Sequence, residues 1–167
     1  MIKNNINQFE VKGKVMVAPA TNHLIQSISH KETGDLIIYT NRIFLSNEKS
    51  TNSFIDFVLN HLIKEDRRIL IISPSKNDCE ELRMVVEENL FDCVSIYYTN
   101  VFTTNYVIEK NNVLFGGENF LEHSATNCPS FTIKDGTCRQ LFIKYSNELF
   151  SQSYPVVKHD FDRILLK

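Results

Sequence analysis

The sequence predicts an α/β fold, a mixed and mainly parallel sheet flanked by helices on both faces. Two runs, LIIYT at 36–40 and RILIIS at 68–73, are continuously apolar, as strands buried on both faces are. Segments with apolar residues at helical spacing separate and follow them, around residues 54–62 and 75–90. Strand and helix alternate in this way as far as Thr99, which implies a sheet built through right-handed crossovers.

The elements follow in chain order. Residues 1–12 are polar and form a loose lead-in or an edge strand, and KVMVA (14–18) is a short apolar run closed by Pro19. Thr21 caps a helix carrying Leu24, Ile25 and Ile28 on one side. After the turn signal Thr33–Gly34 and strand LIIYT, the polar stretch 41–52 is the longest candidate loop. A helix from Ser53 places Phe54, Ile55, Val58, Leu59 and Leu62 on one face and ends in charge at 64–68. Following RILIIS, Ser75 with Asp78 three residues on predicts an N-terminal cap for a helix through Leu82, Val85, Val86 and Leu90. CVSIYYT (93–99) is the next strand. From Asn105 the pattern changes to hairpins: YVIE, a turn at 110–112, VLFGG, a polar connection at 122–130, and FTIKDG. A helix over Arg139–Gln152 turns Leu141, Phe142, Tyr145, Leu149 and Phe150 inward, Pro155 ends it, and a tail runs on through Ile164, Leu165 and Leu166.

Composition narrows the function classes. With 167 residues the chain is one domain by size and can bury a core without disulfide or metal support. Apolar residues make up 43% and charged residues 23%, an ordinary globular balance. The formal net charge of -2 argues against a surface adapted as a whole to nucleic acid or anionic membrane, while leaving room for a local basic patch. No run approaches the roughly 18 apolar residues of a membrane span, and the N-terminus has no apolar core of a signal peptide. The expectation is therefore a cytoplasmic protein with no membrane partner. The abundance of asparagine suggests an AT-rich genome, such as that of a phage or a low-GC bacterium.

Several chemistries lack their parts. No glycine-rich phosphate loop is present. Cys79, Cys93, Cys128 and Cys138 form no CxxC pair, and His23, His30, His61, His123 and His159 form no HxxxH, HExxH or HxK pattern, so neither a metal nor a cofactor is expected. No serine nucleophile elbow occurs, and Cys128 before Pro129 has no local activator. The helix start after Pro74 attracts an anion in one reading and is a plain cap in the other.

The stretch TNYVIEKNNVLFGGENF (104–120) reads as strand, tight turn, strand and a glycine pair. With the elements around it, it resembles the phospholipase D superfamily, whose mark is His-x-Lys, four residues, Asp, six residues, and Gly-Ser-x-Asn. Counting back from Gly116, Gly117 and Asn119 places Glu109 at the Asp position, Thr104 at the Lys position and Phe102 at the His position. A one-residue slip puts Thr103, Asn105 and Lys110 there instead and also lacks the histidine. The resemblance covers residues 15–154 and implies a single phospholipase D-like domain over 1–154, with the tail 155–167 packing on the body or on a partner. In active members the His attacks phosphorus while Lys and Asn hold phosphate oxygens, and two motif copies meet at one site, by homodimerisation when the chain has one.

The replacements decide the expected chemistry. Phenylalanine forms no phosphohistidine, and threonine supplies no positive charge to a developing phosphorane. Losing both removes several kcal/mol of barrier lowering. The leading expectation is a non-catalytic, homodimeric binding or scaffold domain whose partner is protein or nucleic acid, in a phage or bacterial DNA-related or defence system. An alternative is a phosphodiesterase or nuclease with a relocated site, using His123 with Glu109 or Glu118. A third reading comes from RILIISPSKNDCEELRMVVEENL, which resembles a strand and helix of the second lobe of helicase motors and implies an accessory fragment of such a motor.

Overall fold

A computed structural model describes residues 14–18, 34–43, 67–88, 93–116, 130–159 and 166. The predicted helices from Thr21 and from Ser53 lie outside them. Eight strands, β1 (Lys14–Ala18), β2 (Leu36–Tyr39), β3 (Ile69–Ser73), β4 (Val94–Tyr98), β5 (Tyr106–Ile108), β6 (Val113–Gly116), β7 (Ser130–Lys134) and β8 (Tyr154–Val157), form one sheet in the order β1-β7-β6-β5-β2-β3-β4-β8. Among the described residues two helices accompany them, α1 (Lys76–Glu88) and α2 (Gly136–Ser151).

The α/β class and the mixed sheet expected from the sequence are present. Parallel pairing is confined to β2–β3 and β3–β4, at the centre. The other neighbours, β1–β7, β7–β6, β6–β5, β5–β2 and β4–β8, are antiparallel. For β5–β6 the reason is connection length: the 110–112 turn permits only a hairpin, whereas a parallel neighbour needs a crossover of a dozen or more residues.

Alternation along the central strands divides the core into two layers. Leu36 and Ile38 of β2, Ile69 and Ile71 of β3 and Val94 and Ile96 of β4 pack with Cys79 and Leu82 of α1. Ile37 and Tyr39, Leu70 and Ile72, and Tyr97 point the other way and cluster with Tyr106, Ile108, Val113 and, from α2, Ile143 and Leu149. One helix on each face follows from the continuous apolar runs, because neither face of β2 or β3 is left to water.

Local chemistry sets the helix ends. Asp135 is extended and its Oδ1 accepts from the Cys138 N–H at 2.7 Å, so α2 begins at Gly136, three residues before the expected Arg139. Phe142, Tyr145, Leu149 and Phe150 pack inward, but Leu141 faces outward. The helix stops at Ser151, capped by the Gln152 N–H, and Pro155 lies inside β8 instead of terminating the helix. An edge strand tolerates proline because the ladder there needs no donor on its outer side. Leu166 is buried in the α2-side layer, its carbonyl accepting from Asn147 Nδ2 at 2.9 Å. At α1 the Ser75 carbonyl accepts from the Cys79 N–H, opening the helix as expected. The Asp78 carboxylate, expected to complete that cap, reaches instead to the end of β2, accepting from the Ile43 N–H at 2.8 Å and from Arg42 Nε at 3.1 Å.

Ile71 sits at the centre of the parallel trio with no exposed surface. Ile71→Ala is expected to lower stability by about 2–5 kcal/mol, the cost of a buried cavity. Urea denaturation should show this as a lower midpoint with an unchanged slope.

Candidate functional site

The C-terminal end of β2 and the connection from β4 to β5 build one surface. The parallel ladder ends with Thr40 N–H donating to the Ile72 carbonyl and Thr99 N–H donating to the Ser73 carbonyl. Beyond it, residues 99–105 cross over β2 to reach β5, which is paired with β2 on the side away from β3. Phe102 and Thr104, the residues at the His and Lys positions of the motif, lie on this crossing segment. Phe102 is 75% exposed, the most exposed large apolar side chain among the described residues, and Thr104 is also exposed.

The crossing segment is held from below. The Tyr39 hydroxyl, at the end of β2, donates to the Val101 carbonyl at 2.7 Å, lies 3.0 Å from Asn41 Oδ1, and accepts from the Thr103 N–H at 3.1 Å. Asn41 Nδ2 donates to the Thr103 carbonyl at 2.8 Å, and the Asn41 N–H donates to Asn105 Oδ1 at 2.8 Å. Asn105 is fully buried, and its carbonyl accepts from the Gly116 N–H at 3.0 Å. Gly116, with φ +101°, thus closes the far end of the β5–β6 hairpin directly beside the start of β5. The two ends of the motif meet there because antiparallel pairing opposite Tyr106 and Phe115 folds them together.

Glu109, the residue at the Asp position, is elsewhere. It lies past the other end of β5, five residues from Thr104, or roughly 16 Å along an extended strand. It is almost completely buried; its Oε2 accepts from Asn112 Nδ2 at 3.1 Å and its carbonyl from Arg139 Nε at 2.7 Å. Its N–H donates to the Asn112 carbonyl, which makes it a brace of the 109–112 turn and of α2 against that turn. Gly117, Glu118, Asn119 and His123 lie outside the described residues. In the slipped register Asn105 is committed to Asn41 and Lys110 is exposed at the turn, so those positions do not converge either.

Tyr39 and Asn41 are the residues sequence reading passed over. The available signal was a tyrosine ending a strand buried on both faces, since a buried phenol requires a hydrogen-bond partner. Burial pushes the Tyr39 phenol up to about 12, against the opposing pull of the Thr103 N–H. Burial, with the Asp78 carboxylate beside it, pushes the Cys79 thiol up to about 12, so it is protonated and inert at neutral pH. Cys138 is raised in the same direction by burial and by Asp135. Among the described residues no cluster of His, Cys, Asp and Glu has the arrangement of a metal site, and no helix is long and apolar enough to cross a membrane.

These shifts fix a sign. A phenol or thiol with a raised folded-state pKa keeps its proton while the unfolded chain loses it, so its stabilisation is present below the ordinary value and lost as pH rises toward the folded one. Stability is expected to fall between about pH 9 and 12. Urea denaturation at stepped alkaline pH should show the fall, and Tyr39→Phe and Cys79→Ala should each flatten it.

No protein-family model matches the sequence, and no curated protein matches it either. Solved structures do match in shape. TrmBL2, an archaeal chromatin protein whose structure shows a novel mode of DNA binding, superposes with a TM-score of 0.62 at 14% identity over 87% of this chain. The chain spans 56% of the length of TrmBL2. Nuc, a phospholipase D family member from Salmonella typhimurium, superposes with a TM-score of 0.64 at 11% identity, covering 87% of this chain and 97% of Nuc. NucT from Helicobacter pylori gives 0.59 at 12% identity, covering 87% and 99%. At these identities the likeness is one of fold: the chain has a phospholipase D-like α/β fold.

Proposed function

We propose that this chain is a non-catalytic phospholipase D-like domain that acts as a homodimeric binding or scaffold protein in a DNA-related system. The observation that carries the reading is Phe102, a solvent-exposed phenyl ring where the motif requires a nucleophilic imidazole, with a neutral threonine two residues on. A phenyl ring has no lone pair with which to attack phosphorus and cannot move a proton. An exposed phenyl ring on a hydrogen-bonded segment instead has the character of an interface anchor, since Phe is among the aromatic residues enriched at protein–protein interfaces relative to the rest of the surface.

The homodimer follows from the same position. In the family this chain resembles, single-motif members bring two copies of this surface together, and Phe102 then lies at the symmetric contact. A two-fold interface is self-complementary, so each ring packs against residues the other copy also supplies. The DNA-related setting is supported by TrmBL2, a chromatin protein of the same fold. The net charge of -2 favours a protein partner, or contact through a local patch, over general adhesion to DNA. On this reading the domain is cytoplasmic and belongs to a phage or bacterial system, with the tail packing on the body or on a partner.

Three measurements test it. Purified protein is expected to give no turnover of bis-p-nitrophenyl phosphate or of single-stranded or duplex DNA, with or without chelator. Robust hydrolysis abolished by His123→Ala would establish the relocated-site alternative instead. A dilution series followed by light scattering should show a dimer, weakened roughly thirtyfold by Phe102→Ala, the loss expected of a hot-spot aromatic worth about 2 kcal/mol; a monomer at all concentrations sinks the dimer. A labelled duplex whose shift weakens steeply with salt would identify DNA as the partner.

A further inference from the structure

A phenyl ring in water is pulled toward any apolar surface within reach, yet Phe102 stays 75% exposed although its segment is only seven residues long and lies directly over the core. The backbone on both sides of it is hydrogen-bonded downward. Ahead of Phe102, the Val101 N–H donates to Thr99 Oγ1 at 3.3 Å and the Val101 carbonyl accepts from Tyr39 Oη at 2.7 Å. After it, the Thr103 N–H donates to Tyr39 Oη at 3.1 Å and the Thr103 carbonyl accepts from Asn41 Nδ2 at 2.8 Å. One phenol therefore bonds the residues on either side of Phe102, and the side-chain amide of Asn41, two positions on and just beyond β2, completes the grip.

The phenol is itself immobilised. Its ring stacks on Tyr106 with centroids 5.5 Å apart and planes 16° from parallel. The Tyr106 hydroxyl lies 2.8 Å from Ser146 Oγ, and Ser146 Oγ donates to the Phe142 carbonyl within α2. A continuous column thus runs from α2 through Tyr106 and Tyr39 to the backbone beside Phe102.

We infer that Tyr39 and Asn41 are positioning residues for Phe102, holding the 99–105 segment in its binding conformation so that docking onto a second copy of this chain carries little ordering cost. The inference rests on the homodimer reading above and names the groups that make its anchor effective. An anchor on a loop that must first order loses affinity by that ordering, and pre-organisation recovers it. Tyr39→Phe keeps the ring and its stack on Tyr106 and deletes only the hydroxyl; Asn41→Ala removes the second grip and leaves its backbone bond to Asn105 in place.

The test combines amide hydrogen exchange with a double-mutant cycle on dimer dissociation, the far-UV circular dichroism spectrum reporting that each variant is folded. Tyr39→Phe is expected to speed exchange at Thr103 about tenfold, the loss of one net hydrogen bond. It should weaken the dimer by a similar factor, with Asn41→Ala acting in the same direction. In the Phe102→Ala background, Tyr39→Phe should change dissociation by less than about twofold, because a positioning residue has nothing left to position. Unchanged exchange at Thr103 overturns the inference, as does equal weakening of the dimer with and without Phe102, which marks a merely structural tyrosine. If Phe102→Ala leaves the dimer intact while Tyr39→Phe still speeds exchange, the positioning role for dimerisation falls, and the failure lies in the homodimer reading and not in the grip on the segment. Loss of oligonucleotide binding in Tyr39→Phe with dissociation unaltered overturns the second copy as the occupant in favour of a nucleic acid.

Discussion

Because β2 and β3 are buried on both faces, the rest of the molecule is arranged around the need to cover them. Nine side chains alternate from these two strands into opposite layers, and every apolar one is shielded on its own side. With the faces closed, the ends of the strands are where this part of the sheet meets its connecting segments. At the C-terminal end of β2 the polar residues Thr40, Asn41 and Arg42 replace the apolar run; Thr40 Oγ1 donates to the Arg42 carbonyl, Asn41 bonds the 99–105 segment and Arg42 bonds α1. The carboxylate of Asp78, nearly buried, binds Ile43 and Arg42 there and fastens α1 to the same corner. The candidate site is thus a by-product of closing the core: polar groups that cannot be buried unpaired collect where the strands stop.

The same economy explains the fate of the motif. Its glycine end and its strand pairing maintain the hairpin: Gly116 adopts a positive φ and donates to Asn105, and Glu109 braces the turn with Asn112 while Arg139 of α2 binds its carbonyl. These positions serve the fold whether or not a reaction takes place. Phe102 and Thr104 project to solvent, so no packing constraint in the described structure opposes their exchange for non-catalytic side chains. The residues that brace the hairpin and the residues exposed at its approach are thus physically separate sets.

Legibility in the sequence tracked the range of the interaction. The runs LIIYT and RILIIS announced strands because burial on both faces is written residue by residue, and the 110–112 turn announced a hairpin. Asp135 as the cap of α2 was passed over, although Asp immediately before Gly136 is a local signal. The expected pairing of Ser75 with Asp78 held for the helix start and not for the carboxylate, which accepts from donors just beyond β2, more than thirty residues away in sequence. At the site, the neutral character of Phe102 and Thr104 was plain from position counting, but the grip of Tyr39 on Val101 and Thr103 joins residues over sixty apart.

What the sequence determined by itself was the α/β class, the strands and helices with local signatures, and the neutral side chains of Phe102 and Thr104, since each depends on residue identity and short-range spacing. The tertiary structure decided the balance of parallel and antiparallel pairing, the use of Tyr154–Val157 as an edge strand, the separation of Glu109 from Phe102 by the length of β5, and the hydrogen bonds that hold Phe102 out in solvent. For the pairing, the edge strand and the hydrogen bonds the physical reason is the same: each joins groups distant in the chain, and which groups meet depends on the order of strands in the sheet, which no local pattern encodes.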